Sequence, residues 1–348
     1  MTGSAIYSLE DLQRSGLIEN ISDGLRRVAA QFSVAITPTM ISAIDPRDSA
    51  DPIAAQFVPS EKELQVADAE RSDPIGDFSF SPVKGIVHRH SDRVLLKLLN
   101  ACPVHCRFCF RREQAGIAGG VLSSEERTRA IDYIAAHTEI WEVILSGGDP
   151  LMLSDRRLLE TLEKIRAINH VKIIRIHTRV PIADPARITP ELVEILRRDK
   201  PVYVLLHCNH ARELTQDVRA ACARLVDAGI PMLSQSVLLR GVNDNAETLS
   251  ALMRNLVECR IKPYYLHHLD LARGTGHFRV GIDRGQNLMR ELRSRLSGLC
   301  QPTYTFDIPG GYGKVPIGSV YAQARSDGWN IEDHRGVIHA YDAAGEEK

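Results

Sequence analysis

The chain of 348 residues lacks several features that would take it outside the ordinary globular class. It has no run of the roughly 18 to 20 continuous apolar residues that a membrane span requires. It has no excess charge: 43 Lys and Arg stand against 44 Asp and Glu, so nothing draws it generally to nucleic acid or anionic lipid. Short repeats and low-complexity tracts are missing. Glu10, Asp11 and Arg14 stand where a signal peptide would carry its apolar core, so export is not expected. The cysteines are not spaced for pairing: Cys102, Cys106 and Cys109 crowd into one segment, while Cys208, Cys222, Cys259 and Cys300 are scattered singly. That distribution argues against a secreted disulfide scaffold and for a reduced, cytoplasmic protein with one dedicated thiolate cluster.

What is present is ordinary in bulk. A hydrophobic share of 44% and a charged share of 25% predict a folded chain, and at this length roughly three-quarters of the unfolded surface is buried without disulfides. Ile21, Leu25, Val28 and Ala29 recur at helical spacing, with Ser22 as the cap. The stretch from Asp45 to Pro82, rich in proline and mixed charge, reads as a connector wrapping a larger body. From Arg93 onward short apolar runs alternate with amphipathic stretches. The runs are Val94–Leu99, Val143–Leu145, Val171–Ile176, Val202–Leu206, Met232–Leu239 and Tyr264–Leu269. Helices are predicted near 124–137, 155–167, 190–198, 212–227, 246–258 and 284–297. Strand then helix, repeated about six times, predicts an α/β fold with a parallel sheet. It is either a partial (β/α)6 TIM-like barrel or a doubly wound open sheet, which spacing alone does not separate. Polar segments rich in Cys, Gly and His follow the C-terminal ends of the runs, the edge where such folds place their sites.

One of those segments, Asn100-Ala101-Cys102-Pro103-Val104-His105-Cys106-Arg107-Phe108-Cys109, has Cys-x3-Cys-x2-Cys spacing. So short a loop can present three thiolates to three irons of a cubane cluster and leave the fourth iron open. A zinc site of three cysteines and a histidine competes with this reading, although zinc sites usually pair two knuckles and no second Cys-x2-Cys exists here. Ser146-Gly147-Gly148-Asp149-Pro150, at the end of the second run, is a turn if taken alone.

Together these motifs resemble the signature of radical S-adenosylmethionine enzymes. In that superfamily three cysteines, here Cys102, Cys106 and Cys109, hold a [4Fe-4S] cluster whose open iron chelates S-adenosylmethionine, and the strand end matching Gly147, Gly148 and Asp149 meets its methionyl amino group. Over most of its length the chain is similar to the lysine 2,3-aminomutase family. The matching stretches are His88–Val94, Cys109–Arg112, Ser234–Asp244, Pro263–Tyr265, Asp270-Leu271 with Gly274, His277 and Phe278, and Asp307–Lys314. The resemblance implies a radical SAM type of partial (β/α)6 barrel (residues 86–300), preceded by an N-terminal helical and wrapping segment (1–85) and closed by a C-terminal segment (301–348).

It also implies a second cofactor, pyridoxal 5'-phosphate, carried as a Schiff base on Lys314, with its phosphate on Arg89 and Arg93 close enough in sequence to assist. Arg111 matches the arginine that clamps the substrate carboxylate. Asp270 and Asp307 match the aspartates that bind the distal ammonium of lysine, and a buried ammonium does require such partners. Gln235 matches a glutamine near S-adenosylmethionine. His207, Asn209 and His210 are further candidates to line the site. The implied activity is an isomerase of intramolecular aminotransferase type, converting L-lysine to β-lysine with electrons from a reductant such as flavodoxin or ferredoxin. Asn245 stands where full-length free-lysine enzymes have a zinc cysteine, and no cysteine follows Cys300, so no C-terminal zinc site is expected. Arg175–Ile182 and Pro185–Thr189 resemble the short aminomutases that serve elongation factor P. Alternatives are another amino acid or a protein-linked lysine as substrate, a radical enzyme without pyridoxal phosphate, and a zinc-stabilised binding module.

Overall fold

The computed structural model describes residues 4–114 and 120–342. The ends of the predicted 1–85 and 301–348 segments, residues 1–3 and 343–348, lie outside the described residues. One sheet has its strands in chain order: β1 (Ile86–His90), β2 (Arg93–Leu99), β3 (Glu142–Gly147), β4 (Ile173–Thr178), β5 (Val202–His207), β6 (Met232–Val237), β7 (Lys262–His267), β8 (Thr303–Asp307) and β9 (Lys314–Pro316). β2 to β8 run parallel, and β1 and β9 pair antiparallel at the two edges. A doubly wound sheet would reverse its order partway. Here every spatial neighbour is also the next strand in sequence, so right-handed crossovers put all the helices on one face and the sheet curls. The fold is the partial barrel of the radical SAM type. A second sheet of β10 (Ala322–Arg325), β11 (Gly328–Glu332) and β12 (Ile338–Asp342) follows.

The crossover helices are Ser124–Ala136, Asp155–Arg166, Pro190–Leu196, Gln216–Asp227, Ala246–Glu258 and Ile282–Arg295. Their starts obey local chemistry. Ser123 and Glu126 form a reciprocal capping box, and Ser22 accepts from the Leu25 amide at 3.1 Å ahead of Asp23–Gln31. Asn245 caps Ala246–Glu258 by accepting from the Thr248 amide at 2.9 Å. The fourth crossover helix begins later than the periodicity predicts, because Ala211–Glu213 form a separate 3-10 turn capped by His210. His210 therefore serves the backbone.

Alternation along the strands decides what faces where. In β4, Ile174 and Ile176 join the core beneath the helices, while Arg175 and His177 face the inside of the curl. In β7, Leu266 is core and Tyr265 and His267 face inward. The apolar core thus lies between sheet and helices, and the concave face carries the polar side chains.

The segment read as a wrapping connector does more than wrap. It sends Gln56, Glu63, Glu70 and Asp77, all buried, into the mouth of the barrel. Each meets an arginine: Gln56 meets Arg179, Glu63 meets Arg107 and Arg112, Glu70 meets Arg279, and Asp77 meets Arg89 and Arg111.

Candidate active site

The concave face opens on a cavity of about 360 Å³. Cys102, Cys106, Cys109, Gly147, Gly148, Asp149, Gln235, Arg89, Arg111, Asp270, Asp307 and Lys314 all line it. Twelve residues from separate stretches of the sequence therefore meet in one place.

The cysteine loop follows β2. All three of its cysteines are free thiols. Burial pushes the Cys106 thiol up to about 11, against the pull of Arg179, whose Nη1 donates to Cys106 Sγ at 3.5 Å. Burial also raises Cys102 and Cys109, and Cys102 and Cys106 each feel the charge of a neighbouring cysteine. Such a nest of buried thiols ionises only beside a cation, which is the donor set an iron cluster needs. Among the described residues no three His, Cys, Asp or Glu side chains converge as ligands of a single metal ion do. A cubane instead offers each thiolate its own iron, and the three cysteines facing one cavity fit that group. The loop is anchored from outside. Glu63, fully buried, accepts from Arg107 Nε at 3.0 Å and Nη2 at 2.6 Å, and also pairs with Arg112. Arg179 is tied in turn to Glu213 at 2.6 Å and Gln56 at 2.7 Å. Over the loop, Phe108 packs edge-on to Phe278 within a small apolar cluster that includes Leu239, Val242 and Leu269.

The Gly147-Gly148 strand end lies against this loop. A Cβ on Gly148 would run into the Ala101 carbonyl oxygen, so only glycine permits the approach. The Asp149 carboxylate is taken up by its own surroundings. It accepts from Thr178 Oγ1 at 2.8 Å and from the amides of Arg179 at 2.6 Å, Val180 at 3.1 Å and Leu151 at 3.1 Å. Its burial lifts its pKa to about 6 in spite of those donors. Asp149 fixes the loop, and the Gly148 amide is itself tied to the Leu99 carbonyl at 2.6 Å. Gln235 lies beside His207, which burial and the nearby Arg179 hold neutral, down to about 3. Asn209 is satisfied structurally, between Gln56 at 3.0 Å and the Val237 amide at 2.8 Å.

Lys314 owes its place to a hairpin. β9 pairs with β8 so that Lys314 stands directly opposite Asp307, and residues facing each other across a ladder touch. The Lys314 ammonium pairs with the Asp307 carboxylate, and its Nζ lies 3.0 Å from His267 Nδ1. Burial would raise the Asp307 pKa, but the His267 hydrogen bond and the Lys314 charge hold it far below the carboxylate range. Asp270 moves the other way: burial and the Asp307 charge lift it to about 7. His267 is kept neutral by burial and by Lys314.

Arg89, on β1, donates to the Ile75 carbonyl at 2.7 Å and to Asp77 at 3.2 Å, and its Nε is buried without a partner. That orphaned donor beside the cavity is what a phosphate would satisfy. Arg93 lines the same cavity and pairs with Asp92 at 2.7 Å. Arg111 bonds Asp77 at 2.8 Å and lies 4.3 Å from the Phe110 ring. Sequence reasoning missed Asp77, Glu63 and His267, whereas His177 and Arg179 stood only as the polar segment after the third apolar run.

Residues 96–252 match the radical SAM superfamily. The chain is 40% identical to the L-lysine 2,3-aminomutase of Clostridium subterminale over 338 residues, 97% of this chain and 81% of that protein. It is 39% identical to the L-lysine 2,3-aminomutase of Escherichia coli K12 over 287 residues, 82% of this chain and 83% of that one. It is 37% identical to the glutamate 2,3-aminomutase of Clostridioides difficile 630 over 293 residues, 84% of this chain and 69% of the other.

Proposed function

Since this chain belongs to the lysine 2,3-aminomutase family of radical S-adenosylmethionine enzymes, we propose that it converts L-lysine to β-lysine with pyridoxal phosphate as a second cofactor. The observation that carries this reading is the half-buried carboxylate pair, Asp270 and Asp307, in one cavity with Arg111. A substrate with a carboxylate at one end and an ammonium at the other matches that set. Glutamate does not: its distal carboxylate would meet two acids already in conflict, as the raised pKa of Asp270 reports.

The cluster with S-adenosylmethionine supplies hydrogen-atom abstraction, and pyridoxal phosphate supplies a carbonyl that takes an amine and a ring that spreads an unpaired electron. The protein's own residues supply the rest. Cys102, Cys106 and Cys109 hold the iron. The Gly147-Gly148 backbone, with Gln235, receives the methionyl portion and its nucleoside, and Asp149 holds that strand end still. Arg89 takes the phosphate through its unpartnered Nε. Lys314 presents its amine, held between the Asp307 carboxylate and His267 Nδ1 at 3.0 Å. Arg111 grips the α-carboxylate. Lys314 pairs with Asp307, so the substrate ammonium would have to compete with Lys314 for that carboxylate. Phe108, Phe278 and their apolar neighbours keep water from the reacting atoms. A flavodoxin or ferredoxin is the proposed electron donor, and modification of elongation factor P in the cytoplasm the proposed use of the product.

The test is an anaerobic assay of the reconstituted enzyme with S-adenosylmethionine and a strong one-electron reductant. Free lysine, glutamate and α-lysylated elongation factor P are offered separately. β-Lysine from free lysine is expected. Product from glutamate alone would overturn the reading, and product from the lysylated protein alone would favour a protein-linked substrate.

A further inference from the structure

Arg89 and Arg111 come from different segments, the first on β1 and the second just after the cysteine loop, yet one carboxylate joins them. Asp77 is 2% exposed; its Oδ1 accepts from Arg89 Nη2 at 3.2 Å and its Oδ2 pairs with Arg111 Nη2 at 2.8 Å. Lys97 is a third cation close enough to stabilise its charge. The turn that carries Asp77 is built to hold still. The Asp73 carboxylate accepts from the Asp77 amide at 2.9 Å and the Phe78 amide at 2.8 Å. The preceding Gly76 has φ +70 and lies so close to the Gly310 backbone that an added Cβ would stand 2.7 Å from the Gly310 carbonyl carbon. Gly310 opens the loop that returns the chain to Lys314. One short strap therefore touches three things that pyridoxal phosphate and lysine need: a guanidinium for the phosphate, a guanidinium for the carboxylate, and the backbone of the lysine loop.

We propose that Asp77 is a positioning residue that fixes the spacing and aim of Arg89 and Arg111, so that the phosphate and carboxylate sites are held as one unit. This rests on the function proposed above for those two arginines. A carboxylate accepts from both guanidinium groups at once. The isosteric Asp77→Asn offers one oxygen and one NH2, so it can accept from one arginine and must present a donor to the other. If Asp77 were only a neutralising charge, its loss would leave the site more cationic and tighten both anions. If it aims the arginines, its loss loosens both.

The experiment compares wild type and Asp77→Asn, both reconstituted with iron and sulfide, by pyridoxal phosphate dissociation constant, lysine KM and kcat, iron content and melting temperature. The expected result is a roughly ten- to hundredfold rise in lysine KM and weaker pyridoxal phosphate binding, with iron content unchanged. Unchanged or tighter binding of both ligands overturns the inference. If Asp77→Asn does not fold, Gly76→Ala displaces the turn without removing the charge and must weaken the same two constants, while unchanged constants in that variant overturn the inference. A wild type that ignores lysine sinks the functional reading instead. The pyridoxal phosphate arm needs no turnover and still decides the part played by Asp77.

Discussion

The two halves of the cavity are built in opposite ways. The sulfur half is one continuous loop, Cys102 to Cys109, whose ligand spacing is a property of the local chain. The lysine half is assembled from β1, the turn after the cysteine loop, the ends of β7 and β8, the start of β9 and a strap from the N-terminal segment. A contiguous loop can carry a motif in its spacing. A convergent site exists only once the sheet has curled, and its residues carry no spacing at all. The halves also differ in charge. The sulfur half gathers three thiols that burial keeps from ionising on their own. The lysine half is a standing arrangement of cations and carboxylates that must partly dissolve when a charged substrate enters.

The largest expected effect separates the halves outright. Cys106→Ala should lose the cluster and all turnover while still binding pyridoxal phosphate, as iron analysis and the absorbance of the lysine-linked cofactor would report. The mirror experiment is Lys314→Ala: activity falls to background and that absorbance disappears, while the iron–sulfur spectrum stays. A variant that removes both signals would mean that the halves fold as one and that the division is false.

Next in size is the strap's grip on the sulfur half. Glu63→Gln leaves Arg107 and Arg112 as buried cations without their carboxylate, which should cost about 3 to 5 kcal/mol and lower the melting temperature before it alters lysine KM. An effect on KM alone would place Glu63 in the wrong half.

The smallest effect is a pH dependence in the lysine half. Asp270 is protonated below about 7, because burial and Asp307 raise its pKa. The carboxylate pair therefore gains its second negative charge as pH rises through that value, and the cationic substrate should bind more tightly there. Lysine KM should fall severalfold between about pH 6 and 8, and Asp270→Asn should flatten the profile. A KM that rises over that range contradicts the assignment of the pair to an ammonium.

Much of this was readable from residues alone, for physical reasons that differ by element. The six apolar runs and their helices were legible because β2 to β7 bury one face under helices. β1, with its sequence Ile-Val-His-Arg-His, and β8, with Thr-Tyr-Thr-Phe-Asp, are too polar to register as apolar runs, although both join the sheet. Lys314 was identified by resemblance, but its pairing with Asp307 follows from hairpin register, which no motif encodes. Asp149 carries a family motif and turns out to spend its carboxylate on Thr178 and three backbone amides. Asp77 and Glu63 sit in a stretch whose composition is that of a solvated connector. What gives them meaning is the arginine each one meets, and those arginines are 12 to 49 residues away.

The central claim is that both halves act on one substrate in one cavity, and β-lysine is its direct readout. Wild type, Cys106→Ala and Lys314→Ala, prepared and assayed without oxygen, would be given lysine, S-adenosylmethionine and reductant. The account predicts β-lysine from the wild type and none from either variant; β-lysine from either variant, or none from a wild type loaded with iron and pyridoxal phosphate, would contradict it.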